Sequence, residues 1–332
     1  MPVVALDLIE STTRDALVAH GANAEVAASV ANAVRVAEAR GNKICGLYYL
    51  ESYCVQLTTG RVQGDVVPEV STPRPGVVRV DGKLGFAQPA FAAGLGQAID
   101  AARDNGICGY SLEHVHTATS VAYFTERLAL AGLIAIGCTN ASPRVAPPGG
   151  SAALLGTNPM AMSVPDGTGG IAMQFDFATS AVALGTITRA KAAGQSIELG
   201  WAVDAEGQPT TDPAAALEGS LQSAGGYKGW GLGLMVEILA AGLTGGRRSV
   251  DVPPLKTPEG APHDLGLFCI VIDPDGWDAR NLVAQLEALA DDVADQPGAR
   301  VPGASLADPT DVEIEDDVWQ MVLGLAGRAA GR

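Results

Sequence analysis

The sequence predicts an α/β protein in which strands and helices alternate without forming clean βαβ units, which places it on the border with α+β. Three observations carry that reading. Residues 107–113 (ICGYSLE), 133–140 (LIAIGCTN) and 265–274 (LGLFCIVIDP) are continuous apolar runs of strand length. Residues 23–40 and 88–106 place apolar side chains at helical spacing. Over 332 residues, 47% are hydrophobic and 17% charged, enough to bury a sizeable core across two interleaved domains.

The elements follow in order. In residues 23–40, Val26, Val30, Val34 and Ala37 share one helix face, with Asn23 as expected N-cap and Gly41 as expected stop. VVRVDG (77–82) reads as a short strand ending in a turn, and 88–106 as a helix that stops at Asn105-Gly106. The strand at 107–113 comes next, then a helix over 121–132 and a buried strand over 133–140. Residues 141–165 are dense in Gly and Pro and form a structured loop system. IAMQFDFATS (171–180) reads as a strand, WAVDAEGQPTTDP (201–213) as a turn region, and GWGLGLMVEILAAGLTG (229–245) as an apolar helix. The strand at 265–274 precedes a helix over 277–292, a loop over 297–313 and a last helix near 315–330. There is no internal repeat and no low-complexity tract.

Composition narrows the function. Lys and Arg total 21 against 37 Asp and Glu, a net charge of −16, so nucleic acid is not an expected partner. The five cysteines have no metal-like or framework spacing, which points to reduced thiols and the cytoplasm. The first residues lack a basic-then-apolar leader pattern and no run of eighteen apolar residues occurs, so no membrane span is expected.

No dinucleotide fingerprint is complete. Gly94 and Gly96 lie in a helical pattern with Ile99 in the third position, and Gly229 and Gly231 are followed by Leu234. His114 and His116 lack further ligands at metal spacing, so no metal is expected; either is a hydrogen-bonding or acid group near a cofactor, or a loop histidine. Asp176 interrupts an apolar strand, and burial there requires a specific partner or a turn to cap. Lys228 in GGYKG and Arg300 in ARVPG each face a phosphate, or else solvent and nearby carboxylates.

The loops become specific as a set. VAPPGG (145–150), LGTNPMAMSVP (155–165), DFATS (176–180), GWAVDAEGQPTTDP (200–213), GGYKG (225–229) and RVPG (300–303) occur in this order. Together they resemble the malate/L-lactate/sulfolactate dehydrogenase family, which includes ureidoglycolate dehydrogenase, diketogulonate reductase and piperideine-2-carboxylate reductases. The resemblance implies a non-Rossmann NAD(P)-binding fold, a mixed sheet with flanking helices, and a homodimer. It also implies hydride transfer between NADPH or NADH and C2 of a small acid. An N-terminal helical part of a substrate and dimerisation domain would span 1–75, a central cofactor-binding region 76–250, and a C-terminal segment returning to the first domain 251–332. By the same resemblance the cofactor lies along Thr117, Ala118, Thr119, Ser120 and Val121. It continues past Asp176, Phe177 and Ala178 to Tyr227, Lys228 and Arg300, while Thr157 faces substrate or nicotinamide.

The chain departs from the family where the chemistry is done. The family's Ser-His proton-donor pair and the Arg three residues after the following Gly are here Ile44, Cys45, Gly46 and Tyr49. The second family histidine falls on Thr117, with His116 one position earlier, and the later A-R-G-D/E segment is Ala183, Leu184, Gly185 and Thr186. GLYYLESYC resembles the corresponding run of the sulfolactate branch, which makes Tyr49 a branch feature. Cys45, Tyr49 and His116 are therefore the catalytic candidates, with Tyr48, Thr157, Leu184 and Gly185 on the substrate side and Lys43 and Tyr48 as rival donors. Cys45 is alternatively a small packed residue where a histidine once stood. The expected activity is NAD(P)-dependent oxidation or reduction of a sulfolactate-like 2-hydroxy/2-oxo acid or a cyclic imine; the alternative is a non-catalytic dinucleotide- or partner-binding protein.

Overall fold

A computed structural model describes residues 1–303 and 309–328. The chain opens with β1 (Val3–Ala5) and α1 (Leu6–Ala19), followed by α2 (Ala24–Ala39) and, after two 3-10 turns, α3 (Leu50–Thr58). Asn23 caps α2 as its sequence predicts, its side chain accepting from the Val26 amide at 2.9 Å. These helices bury Leu6, Ile9, Leu17, Val26, Val30 and Tyr53 in one apolar cluster.

The central layer contains β2 (Glu69–Arg74), β3 (Val77–Gly85), α4 (Ala87–Asn105), β4 (Ile107–Val115), α5 (Ala122–Leu130) and β5 (Ile134–Thr139). β6 (Met160–Pro165) and β7 (Ile171–Phe177) follow after the Gly/Pro-rich loops. A smaller unit comes next: α6 (Leu184–Ala192), β8 (Ala202–Val203), β9 (Pro209–Thr210), α7 (Pro213–Glu218) and β10 (Ser220–Leu221). The chain finishes with α8 (Tyr227–Glu237), β11 (Leu265–Ile272), α9 (Leu282–Ala294), β12 (Asp311–Glu313) and α10 (Asp316–Leu325).

Seven strands form one mixed sheet in the order β2-β3-β4-β11-β5-β6-β7. Only β3 and β4 pair in parallel; β4, β11, β5, β6 and β7 pair antiparallel. A single βαβ crossover explains why the alternation of elements does not resolve into Rossmann units. The helices α4 and α5 cover the sheet through Phe91, Ala98, Phe124 and Leu128, which meet Val80, Tyr110 and Leu267. Gly94 belongs to this contact: a Cβ there would lie 2.6 Å from Val80 and 2.9 Å from the Tyr110 hydroxyl, so the glycine serves helix–sheet packing. The helix stops at Gly106, in the left-handed region at φ 75°.

The third stretch of chain serves both layers, with β11 in the middle of the sheet and α10 packed with β12 and β1 on the N-terminal helices. Several local expectations change. Met160–Pro165, expected within the loop system, form β6, and the helix expected from 277 begins at Leu282. β3 runs on to Gly85 through a bulge, because Asp81 accepts from the Lys83 amide and Lys83 and Leu84 take positive φ. The apolar helix expected over 229–245 begins at Tyr227 and passes into a π-helical turn over Ile238–Gly242, so Lys228 lies inside its first turn.

Candidate functional site

Residues 41–54 fold as two 3-10 turns, Lys43–Cys45 and Leu47–Tyr49, before α3 begins. Buried Glu38 makes the bend between them by accepting from the Leu47 amide at 2.8 Å. A Cβ at Gly46 would sit 2.1 Å from that carboxylate, so a side chain here would push Glu38 away from the Leu47 amide. Burial raises the pKa of Glu38, opposed by the Leu47 hydrogen bond and Lys43. The turn presents Cys45, Tyr48 and Tyr49 to a cavity of about 360 Å³.

The GTNP loop forms a second wall and is held from behind. Asn158 is fully buried and donates to the Gly233 carbonyl at 2.9 Å and to Glu237 at 3.0 Å. Glu237 in turn accepts from the Ser249 amide at 2.6 Å. This network leaves the preceding Thr157 on the cavity surface. Leu184 and Gly185 form the third wall, where a Cβ on Gly185 would meet Ile44 at 2.8 Å. The fourth is the loop Pro254–Lys256, with Lys256 Nζ 3.8 Å from the Tyr48 ring centroid.

Burial, with the Asp176 charge adding to it, pushes the Cys45 thiol up to about 12. Burial and the neighbouring Tyr48 and Cys45 push Tyr49 up to about 12 as well, while Arg144 acts in the opposite direction. Both groups are therefore protonated and uncharged at neutral pH.

His116 is placed differently from the expectation. It is 2% exposed and does not line the cavity. Its Nδ1 accepts from the Thr117 amide at 2.8 Å and its Nε2 lies 2.6 Å from the Gln56 side-chain oxygen. An amide N–H can only donate, so Nε2 carries the proton and donates to Gln56, and both ring nitrogens are committed. Its ring stacks on His263, 4.6 Å away, and it is His263 that reaches the cavity. Among the described residues neither ring nitrogen of His263 makes a hydrogen bond of good geometry, the Pro254 backbone being the group that faces it. His114 points elsewhere, with Nδ1 2.7 Å from Asp264.

A second cavity, of about 500 Å³, adjoins the first. The same segments line both: Thr117, Thr119 and Ala178 face the first, and Ser120 and Asp176 the second, with Arg300. Ala118 and Val121 turn into the core, so only their backbones border this ridge. Asp176 lies on edge strand β7 with part of its surface exposed, yet burial of its carboxyl group raises its pKa, and the specific partners expected for it are present. Its carboxylate accepts from Ser120 Oγ and from the Ala122 amide, both at 3.0 Å, and so caps the start of α5. Phe177, Tyr227 and Lys228 are exposed and line neither cavity; Phe177 stacks on Phe175 instead, at 5.5 Å. Among the described residues no group of three or more His, Cys, Asp or Glu is placed to hold a metal ion.

Among the cavity residues that escape sequence reasoning, three are cationic or titratable: Arg144, Lys256 and His263. Arg144 had a signal, being the cation next to VAPPGG; Lys256 and His263 lie in a loop without a motif.

Known proteins resemble this chain over nearly its whole length. The family model described as malate/L-lactate dehydrogenase matches residues 4–315. The chain is 39% identical over 293 residues to a Delta(1)-pyrroline-2-carboxylate reductase of Ancylobacter novellus, covering 87% of this chain and 85% of that protein. It is 37% identical over 305 residues to a (2R)-3-sulfolactate dehydrogenase (NADP(+)) of Chromohalobacter salexigens, covering 91% and 90%. Among solved structures, a delta1-piperideine-2-carboxylate reductase from Pseudomonas syringae superposes with a TM-score of 0.90 at 33% identity, covering 98% of this chain and all of that one.

Proposed function

The chain belongs to the malate/L-lactate dehydrogenase family, and from that premise we propose that it is an NAD(P)-dependent oxidoreductase acting at C2 of a cyclic imine carboxylate or a 2-hydroxy/2-oxo acid. The observation that carries this reading is the pair of cavities sharing the ridge 117–122, which matches the two halves of a dinucleotide. The ring that reacts fits the first cavity beside the substrate. The adenosine half fits the second, where Ser120, Asp176 and Arg300 offer polar groups. A bound reduced nicotinamide supplies the hydride; the chain's own groups set out the rest.

Thr157 and the apolar surface of Ile44, Leu184 and Leu265 hold the substrate. Cys45 and Tyr49, both protonated, are the groups that present a proton to the carbonyl oxygen of a 2-oxo acid as C2 takes the hydride. The exposed apolar side chains Leu232, Leu234, Met235 and Ile238 of α8 and its extension support a homodimer through that face. The five cysteines are all free thiols, which supports a cytoplasmic, reducing location. No helix of the described residues is long and apolar enough to cross a membrane.

Titration of the protein with NADPH and with NADH, followed by fluorescence, is expected to show saturable binding of at least one. A panel of cyclic imine carboxylates and 2-oxo acids should then give turnover. Cys45→Ala separates the two classes. An iminium substrate already carries its proton, so its turnover should survive the change, whereas 2-oxo acid reduction through a thiol donor should fall by about 100-fold. Failure to bind either cofactor, or turnover of no substrate in the panel, would overturn the reading.

A further inference from the structure

The lining of the first cavity contains two cations, Arg144 and Lys256, and no Asp or Glu. In a chain with 37 acidic residues against 21 basic ones, that local charge balance is the reverse of the whole. Neither cation has a carboxylate partner among the described residues, whereas Arg40, Arg79, Arg248 and Arg280 do.

Arg144 is also held in place. Its amide donates to the Leu155 carbonyl at 2.7 Å and its carbonyl accepts from the Leu221 amide at 2.8 Å, so the backbone is fixed from both sides. Its Nε is buried without a hydrogen-bond partner among the described residues. A partly buried guanidinium whose hydrogen bonding the chain leaves incomplete favours an anionic acceptor in reach. Lys256 stands across the cavity over Tyr48, the residue beside the position where the family places its carboxylate-binding arginine. That position is Tyr49, and the second family arginine is Leu184.

We propose that Arg144, with Lys256 at the mouth, is the anion receptor of this site and holds the carboxylate of the substrate in place of the missing arginines. The proposal rests on the oxidoreductase reading for the identity of the substrate, but not for the binding of an anion. Moving the clamp from α3's approach to the 141–150 loop turns the substrate relative to Cys45 and Tyr49. Arg144 is thereby a specificity-determining residue of a small acid with its anionic group next to the reacting carbon.

The test uses picolinate, a planar ring acid that cannot be reduced under these conditions, and its neutral amide, picolinamide. Both are titrated calorimetrically into wild type, Arg144→Met, Arg144→Lys and Lys256→Met, with and without NADPH. Wild type should prefer the acid by roughly 10- to 100-fold, the range of a charge-assisted contact. Arg144→Met should abolish the preference, Arg144→Lys should restore part of it, and Lys256→Met should reduce it, with NADPH affinity unchanged in all. With a turned-over substrate, Arg144→Met should raise KM far more than it lowers kcat. A preference retained in Arg144→Met, or absent from wild type, would overturn the proposal, and so would loss of NADPH affinity in that variant. Should Arg144→Met not fold, the lysine variant alone decides. If wild type itself binds neither NADPH nor NADH while the acid preference still follows Arg144, the receptor stands and the oxidoreductase reading falls.

Discussion

Replacing Arg61 by methionine is expected to destabilise the protein by about 3 kcal/mol and to raise KM roughly tenfold or more. Arg61 is 2% exposed, and no acidic partner meets it among the described residues. Its guanidinium instead donates to four carbonyls of one loop: Pro254 at 3.0 Å, Leu255 at 3.4 Å, Ala261 at 3.0 Å, and Thr257. Burying an unpaired charge is tolerable only because these dipoles all point at it. Gln56 adds bonds to the Leu255 and Thr257 carbonyls, and His116 holds Gln56. Since Pro254, Leu255 and Lys256 form a cavity wall, the same bonds that stabilise the loop also fix that wall, where the proposed substrate would lie. Urea unfolding and steady-state kinetics check both halves. Arg61→Lys keeps the charge but loses the planar fork, so it should recover only part of each. A change in stability below about 1 kcal/mol would show that the loop is held by other contacts.

The second large effect is on stability in mild acid. His263 is held at about 4, by burial first and by Arg61 next. Burial, His263 and Arg61 hold His116 well below the ordinary value. The unfolded chain takes up these protons near pH 6.5, but the folded chain does not. Stability therefore falls as pH drops below about 6.5, and the share due to His263 levels off once the folded form is protonated near 4. For His263 the span of 6.5 to about 4 corresponds to roughly 3 kcal/mol at the acid end, with His116 adding to it. The urea midpoint measured between pH 7.5 and 5 should fall steadily in wild type. His263→Phe keeps an aromatic ring against His116 but cannot be protonated, so its slope should be smaller by close to one proton. An equal slope in both proteins would mean that His263 is protonated in the fold.

The pattern of the sequence reached many of the elements because it reports local periodicity. The α2 helix with its Asn23 cap, the Gly106 stop and the apolar strands at 107, 134 and 265 are all set by neighbours within a few residues. The ordered loop motifs led to the right family because their residue types and order are recognisable as such, although the folded shapes are held from a distance, Asn158 by Glu237 and Asp176 against α5. His116 shows where this fails. Its sequence context places it one residue from a catalytic position, yet its role follows from Gln56, 60 residues earlier.

By itself, then, the sequence determined the mixed α/β class and the family resemblance, and through that resemblance the expectation that Cys45, Tyr49 and Leu184 stand in the family's donor and clamp positions, all read from residue type in local order. Only the tertiary structure decided what stands in the site instead. It turned His116 inward and brought His263 to the cavity; it also set Arg144 and Lys256 facing the same space from loops 112 positions apart. The physical reason is that a charge or imidazole acquires its function from burial and from the partners that it lacks, and both depend on chain segments that meet only once the protein has folded.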